Sequence, residues 1–203
     1  MSKVRAGEVW KEIKPFAIRD LNAGGDRTGS DESLYAILLY KATKDIIEYS
    51  VTASGLGAAL AAADSGDVVF MPPATISGDY SVSNGVSLVG IDRKRCILTG
   101  QIILGSNASL GDVSVTRSGS ASAIYGVVLY GSSIRIYDCL INVTNSGGDA
   151  VGVYGQAGAS VYSDDCIITA TGDDDGYGYY ANGATIYVQD GSANGSTAPV
   201  GSE

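Results

Sequence analysis

The feature that most limits what this chain can fold into is a repeat. Ile134-Arg135-Ile136-Tyr137-Asp138-Cys139-Leu140-Ile141-Asn142-Val143 aligns with Val161-Tyr162-Ser163-Asp164-Asp165-Cys166-Ile167-Ile168-Thr169-Ala170 at an offset of 27. Ile186-Tyr187-Val188-Gln189-Asp190 begins the same phrase once more, at an offset of 25. Upstream, Ala108, Leu110, Asp112, Val113 and Val115 anticipate Ile134, Ile136, Asp138, Cys139 and Ile141 at an offset of 26. Four copies of a unit of roughly 26 residues predict a solenoid, because one such unit cannot bury its apolar face alone.

The unit also carries its own architecture. Ile134 and Ile136 alternate with Arg135, and then Cys139, Ile141 and Val143 alternate with opposite parity. The inward face therefore switches across Tyr137-Asp138, which predicts two short strands meeting at a bend. A third strand recurs at Gly126-Val127-Val128, Gly152-Val153-Tyr154 and Gly178-Tyr179-Tyr180, with its glycines 26 apart. Three strands per coil predict an all-β, single-stranded, right-handed parallel β-helix of about 26 residues per coil. A leucine-rich repeat would need a helical or Leu-x-x-Leu-x-Leu segment, and the units contain none.

Composition then narrows the function classes. With 203 residues, 28 glycines and 13 tyrosines, the chain suits one β-rich domain with many tight bends and a small extension. A net charge of −9 argues against nucleic acid as a partner. No apolar run approaches the roughly 18 residues a membrane span requires; the longest lies near Tyr35–Tyr40. The opening Met1-Ser2-Lys3-Val4-Arg5-Ala6 leads into polar residues, so no secretory signal peptide is expected. Cys96, Cys139 and Cys166 are too sparse for a disulfide framework or a zinc site. Cys139 and Cys166 fall at equivalent positions in adjacent coils, which leaves open a disulfide or a pair of small core fillers.

Outside the repeat the chain changes character. Residues 1–53 are expected to be an arm or attachment segment with short strands, at Glu8–Lys14 and Phe16–Ile18 before a loop at Asn22–Asp26. Residues 31–51 fit either a helix or a hairpin turning at Thr43-Lys44-Asp45, and the Tyr, Ile, Thr and Val of the second half favour the hairpin. Residues 54–65 form an Ala-rich helix with Ser54 as N-cap and Leu56, Ala59, Leu60 and Ala63 on one face. Such a helix would cap the exposed core of the first coil, with coils following from 67 to 203. Residues 191–203 turn small and polar, and the last coil is expected to be protected by another subunit or a partner.

The Ala-rich helix, then Gly66-Asp67-Val68-Val69-Phe70-Met71-Pro72-Pro73, then Gly85-Val86-Ser87-Leu88-Val89-Gly90 resembles the opening of pectin-lyase-like β-helix proteins. That superfamily includes pectate lyases, polygalacturonases, pectin methylesterases and bacteriophage tailspikes, and the resemblance runs over about residues 54–190. It implies a fold more strongly than an activity.

Chemistry would sit on a column of aspartates: Asp112, Asp138, Asp165 and Asp190, with Asp164 beside Asp165. Ser163-Asp164-Asp165 is slightly similar to the paired-Asp motif of polygalacturonases, whose carboxylates act as general acid and base on a glycosidic bond. The histidine and the Arg-Ile-Lys of that pattern are missing here. Pectin methylesterases pair two aspartates with an arginine, for which Arg135 is the candidate beside Asp138, Asp164 and Asp165. Turn chemistry accounts for the same column without catalysis, since Asp is favoured at bends. Asp173, Asp174 and Asp175 form an acidic loop, whose alternative role is holding Ca²⁺. Tyr125, Tyr154, Tyr177, Tyr179 and Tyr180 on the third strands are candidates for stacking on sugars or for a subunit interface.

These readings converge on a non-enzymatic virion component resembling a phage tail fibre or tailspike. It would be a homotrimer, joined to other virion proteins through its N-terminal arm, contacting glycans, and located in the virion or outside the cell after release. A polysaccharide-degrading enzyme and a bacterial surface or filament protein are the alternatives.

Overall fold

In the computed structural model, residues 36–195 and the backbone of 198–202 are described. The expected arm strands before residue 31 lie outside the described residues. The chain enters as a hairpin, β1 (Ile37–Tyr40) and β2 (Ile46–Tyr49), paired antiparallel. Helix α1 (Ala53–Ala62) follows. Then come six successive sets of three strands, about five full turns. The first is β3 (Val68–Met71), β4 (Ala74–Ser77) and β5 (Tyr80–Val82). The second is β6 (Ser87–Gly90), β7 (Cys96–Thr99) and β8 (Ile102–Leu104). The third is β9 (Ser109–Gly111), β10 (Ser114–Gly119) and β11 (Ala123–Leu129). The fourth is β12 (Ile134–Tyr137), β13 (Leu140–Asn145) and β14 (Asp149–Gly155). The fifth is β15 (Ser160–Asp164), β16 (Ile167–Gly172) and β17 (Gly176–Ala181). The sixth is β18 (Thr185–Gln189), β19 (Ser192–Gly195) and β20 (Ala198–Ser202).

Strands of like rank pair in parallel and build three sheets, here called A, B and C in coil order. The expected parallel β-helix is therefore the fold, and helix is confined to α1 among the described residues. None of the described helices is long and apolar enough to cross a membrane.

The core is a set of side-chain columns. On sheet A, Leu39, Val69, Leu88, Leu110 and Ile136 follow in register and are nearly inaccessible to water. On sheet B the column runs Ile76, Leu98, Val115, Ile141, Ile168. Each fully buried Leu, Ile or Val contributes roughly 1.5–3 kcal/mol relative to exposure. Because side-chain direction alternates with period two, a one-residue slip in any coil would turn such a column out to solvent.

The coils are unequal in length. Val68 lies opposite Ser87, and Ser87 opposite Ser109, so the first two steps along sheet A are short. Later steps are longer and nearly constant, with Ser109 opposite Arg135 and Ile134 opposite Val161. The early coils save residues chiefly in their shorter strands of sheets B and C, so they share the core columns without sharing the period.

The start of the solenoid is closed by both the hairpin and the helix. Strand β1 pairs antiparallel with β3 and so extends sheet A past the first coil. Helix α1 buries Leu56, Ala59 and Leu60 in the same cluster as Val69, Met71 and Val82. Its N-cap is Thr52 rather than Ser54: Thr52 is extended, and its hydroxyl accepts from the backbone N–H of Gly55 at 3.0 Å. The helix stops at Ala62, short of residue 65. The Asp64 N–H donates to the Asp67 carboxylate at 2.8 Å, and the Lys41 ammonium donates to the Ala62 carbonyl at 2.6 Å. Asp67, only 2% exposed, also accepts from the Ala42 N–H at 2.8 Å and faces Lys41 at 3.0 Å. One carboxylate thus ties hairpin, helix end and first coil together.

The recurring glycines of the third strand mark a close approach. A side chain on Gly152 would collide with Ile168 of sheet B and stand 2.6 Å from the Gly178 carbonyl. One on Gly126 would meet Val143 and the Gly152 carbonyl, each at 2.8 Å. The strand turns two successive positions inward there, and only a hydrogen fits the first. Gly152→Ala is expected to cost about 1–3 kcal/mol by overpacking, measured as a shift in the urea midpoint. An unshifted midpoint would show that sheets B and C are not so close.

Candidate functional site

The aspartate column lies at the corner between sheets A and B. Asp112, Asp138, Asp165 and Asp190 all have positive φ, at 52°, 51°, 47° and 40°. Left-handed backbone is costly for most residues, and Asp and Asn tolerate it best among those with side chains. The turn explanation therefore accounts for the Asp at each corner. The corner is also tied coil to coil: the Asp112 N–H donates to the Tyr137 carbonyl at 3.2 Å, Asp138 to Asp164 at 3.0 Å and Asp165 to Gln189 at 3.1 Å.

Stacking carboxylates one coil apart has an electrostatic cost. Burial, then the neighbouring Asp138, push the Asp112 carboxyl up to about 6. Asp138 is raised too, first by burial and next by its hydrogen bond with Asp165. The cation that relieves this is not Arg135 but Arg93, from the corner loop of the second coil. Its guanidinium donates to the Asp165 carbonyl at 2.9 Å and lies 3.9 Å from both the Asp138 and Asp165 carboxylates. The Ser114 hydroxyl fixes the backbone of that loop by donating to the Arg93 carbonyl at 2.6 Å. Tyr137 lies over Gly111, its register partner, and burial beside Asp112 raises its phenol.

The residues singled out from the sequence therefore separate. Asp138 and Asp165 share the corner, while Asp164 points outward from β15. Arg135 projects outward from β12 with no ion pair among the described residues. Arg93 escaped the sequence reading because its coil lies outside the regular period.

The cysteines are free and buried. Register puts Cys96 beside Val113, and Cys139 next to Val113 and Cys166, so all three belong to one corner column. The Cys139 thiol donates to the Tyr137 carbonyl at 3.2 Å and the Cys166 thiol to the Asp164 carbonyl at 3.4 Å; burial raises Cys139, and the adjacent Cys139 thiol lowers Cys166.

The tyrosines divide in the same way. Tyr179 points into the core, 1% exposed, and bonds the Ser163 hydroxyl at 2.5 Å. Ser163 occupies the core column of sheet A where the coil before has Ile136, and the phenol satisfies it. Burial pushes the Tyr179 phenol up to about 12. Tyr125, Tyr154, Tyr177 and Tyr180 lie on the outer face of sheet C as one aromatic layer. Ring centroids are 4.7 Å apart for Tyr125–Tyr154, 5.8 Å for Tyr154–Tyr180 and 5.1 Å for Tyr177–Tyr180. Val128 and Val151, outward neighbours of these rings, are only 4% and 3% exposed. The Tyr177 hydroxyl donates to Asp175 at 2.9 Å, and the Asn182 amide donates to the Tyr154 hydroxyl at 2.9 Å.

Asp173 and Asp174 are exposed, and Asp175 is turned toward Tyr177. Among the described residues no three acidic, Cys or His side chains converge as a metal would require.

A second aromatic pair stands on sheet A. Tyr162 and Tyr187 stack at 4.8 Å and 12°, both largely exposed. Parity offered a signal for them, since Arg135 alternates between two inward isoleucines and aligns with Tyr162.

Comparison with known proteins assigns no family: no protein-family model, no curated protein and no solved structure matches the chain significantly.

The corner predicts a pH dependence. A carboxyl raised in the folded state contributes stability that is fully present below its unfolded value near 4 and is lost as pH rises through its folded value. For Asp112 that loss runs up through about 6. Asp67 acts oppositely: burial opposes its ionisation, but the N–H groups of Asp64 and Ala42 and the Lys41 ammonium outweigh it and lower the carboxyl. Its contribution is lost as pH falls below about 4. The melting temperature, followed by circular dichroism, is expected to rise by a few degrees from pH 7.5 to pH 5. Asp112→Asn should remove most of that rise, and a flat or falling profile in the parent protein would contradict the assignment.

Proposed function

We propose that this protein is a structural and adhesion component of a virion, of the tail-fibre or tailspike kind, with its β-helix serving as a rigid rod that presents side chains to surface glycans. The observation that carries this reading is the left-handed backbone at every aspartate of the column. It gives the most site-like feature of the chain an architectural role and leaves the outward aromatic faces as the surfaces available for recognition. A stack of in-register coils suits such a role, since few side chains need change to alter the surface while the core columns stay fixed. The pectin-lyase-like resemblance of residues 54–190 is in keeping with it. The assembly we envisage is a homotrimer attached to other virion proteins through the N-terminal segment.

A second reading, a polysaccharide-degrading enzyme, draws on the raised carboxyls of Asp112 and Asp138 next to the Arg93 guanidinium. Perturbed carboxyls near a fixed cation also occur in catalytic sites.

Light scattering on the eluting protein is expected to give a trimer mass, and electron microscopy of the native assembly to show it in a particle. A monomer at micromolar concentration would contradict the assembly. Incubation with a panel of polysaccharides is expected to release no reducing ends. Release that disappears in Asp165→Asn would overturn the non-enzymatic reading in favour of the second.

A further inference from the structure

Sheet A has two free ends among the described residues, β2 at the start of the solenoid and β18 at its finish. Strand β1 runs antiparallel to both β2 and β3, so β2 runs in the same direction as every coil strand of the sheet. The two ends therefore present edges of one polarity, each with a row of backbone N–H and C=O groups that no described strand meets. Four of the eight large apolar side chains that stand most exposed lie on these two strands: Ile46 and Ile47 on β2, Tyr187 and Val188 on β18, each 40–52% exposed.

Register joins these four in pairs. The inward column that begins at Ile47 and Leu39 ends at Ser163 and Val188. By the same pairings, the outward column that begins at Ile46 and Tyr40 ends at Tyr162 and Tyr187. The Tyr187 ring covers Tyr162 with one face, and its other face looks along the axis, off the end of the stack.

The first end is also level. Strands β1 and β2 raise sheet A by two strand spacings, about 10 Å, which is about the diameter of the helix laid beside them. Helix α1 buries one side in the first coil, and the opposite side, formed by Gly57, Ala58, Ala61 and Ala62, carries no charged group. A helix apolar all round is ordinarily a covered one, and a terminal cap left in water needs a polar exterior. At the last coil no described element lies over β18 and β19, and Ala184, Ile186 and Ala193 are only partly buried.

These surfaces select a second copy of the chain as the occupant. An edge of matching direction, an apolar column to continue and an uncharged helix face to set against an open coil are all supplied by the other end of the same molecule. Neither β18 nor α1 contains a charged residue, so little of the net charge of −9 meets at such a joint. Strands of four or five residues span about 15 Å, so a coil end with its side chains measures on the order of 400 Å². The contact belongs to the small interfaces, below about 1,200 Å² in total, that form and separate with concentration.

We propose that copies of this protein join head to tail along the solenoid axis, β2 of one copy adding in parallel to β18 of the next and α1 seating on that copy's open last coil. Ile47 then follows Val188 in the core column, and Ile46 packs on the free face of Tyr187. Such a contact uses a different patch on each copy and does not close on itself, so it generates a filament. It adds to the trimer proposed above and does not depend on it.

The test is the mass of the full chain by sedimentation velocity, from micromolar to near-millimolar concentration. The parent is expected to grow in steps of the unit present at the lowest concentration. Ile47→Asp and Val188→Asp, each shown by a melting curve to be folded, are expected to associate at least roughly tenfold more weakly, because each sets an unpaired carboxylate in the joint. Mixed one to one, they should form pairs of units and nothing longer, since each retains the end that the other has lost. Where either variant does not fold, Ile46→Asp and Tyr187→Asp on the outward column replace them. A parent mass that does not change with concentration, undiminished growth in either variant, or a mixture that forms no pairs would overturn the proposal. The mass of the smallest unit tests the trimer alone, so the two readings fail separately.

Discussion

Backbone pairing of each coil with the next, parallel and in register, is the constraint on which the rest of this structure depends. It fixes which side chains stack inward, and the two-residue periodicity of a strand then fixes which stack outward. It also requires the chain to turn from sheet A to sheet B in the same place on every coil. From the third coil onward that turn is made by a single left-handed aspartate. The corner column of aspartates and the buried column of Cys96, Val113, Cys139 and Cys166 are two views of one repeated bend.

Register also creates the strains that the fold has to absorb. Carboxylates repeated at each coil repel one another: the Asp112 and Asp138 carboxyls are raised, and Arg93 reaches across from a coil far back in sequence. A serine in the core column of sheet A would leave its hydroxyl without water, and Tyr179 crosses the core from sheet C to meet it. At the first coil the unpaired edge of sheet A is met by β1, while Asp67 holds hairpin and helix in place. Each device is local, but all are consequences of stacking.

Much of this was legible in the sequence where the period was regular. Parity placed the bend at Tyr137-Asp138, and glycines recurring 26 residues apart placed the third strands on Gly126, Gly152 and Gly178. The first two coils were not legible as repeats, because their shorter spacing breaks the phrase although Val69 and Leu88 stack like Leu110 and Ile136. Arg93 and Cys96 were missed as members of the corner for that reason. The capping helix was visible in its alanines, but its N-cap was not, since Thr52 and Ser54 are both capping residues and only backbone geometry separates them. Tyr179 could not be told from Tyr180 by composition: the bulge at Gly178 decides which ring enters the core. Tyr162 and Tyr187 were in plain view through parity, and the adjacent aspartates drew the reading away from them.

If the corner aspartates are there for their backbone conformation, their charge is dispensable and their capacity for left-handed φ is not. The most direct measurement is thermal unfolding at pH 7 of Asp138→Asn beside Asp138→Ala. Asn also tolerates the left-handed region, so this account predicts that Asp138→Asn melts at or above the parent temperature, relieved of repulsion from Asp165. Asp138→Ala should melt lower, by an amount equivalent to about 1–2 kcal/mol. Equal destabilisation by both would mean that the carboxylate itself is required, and would contradict the account.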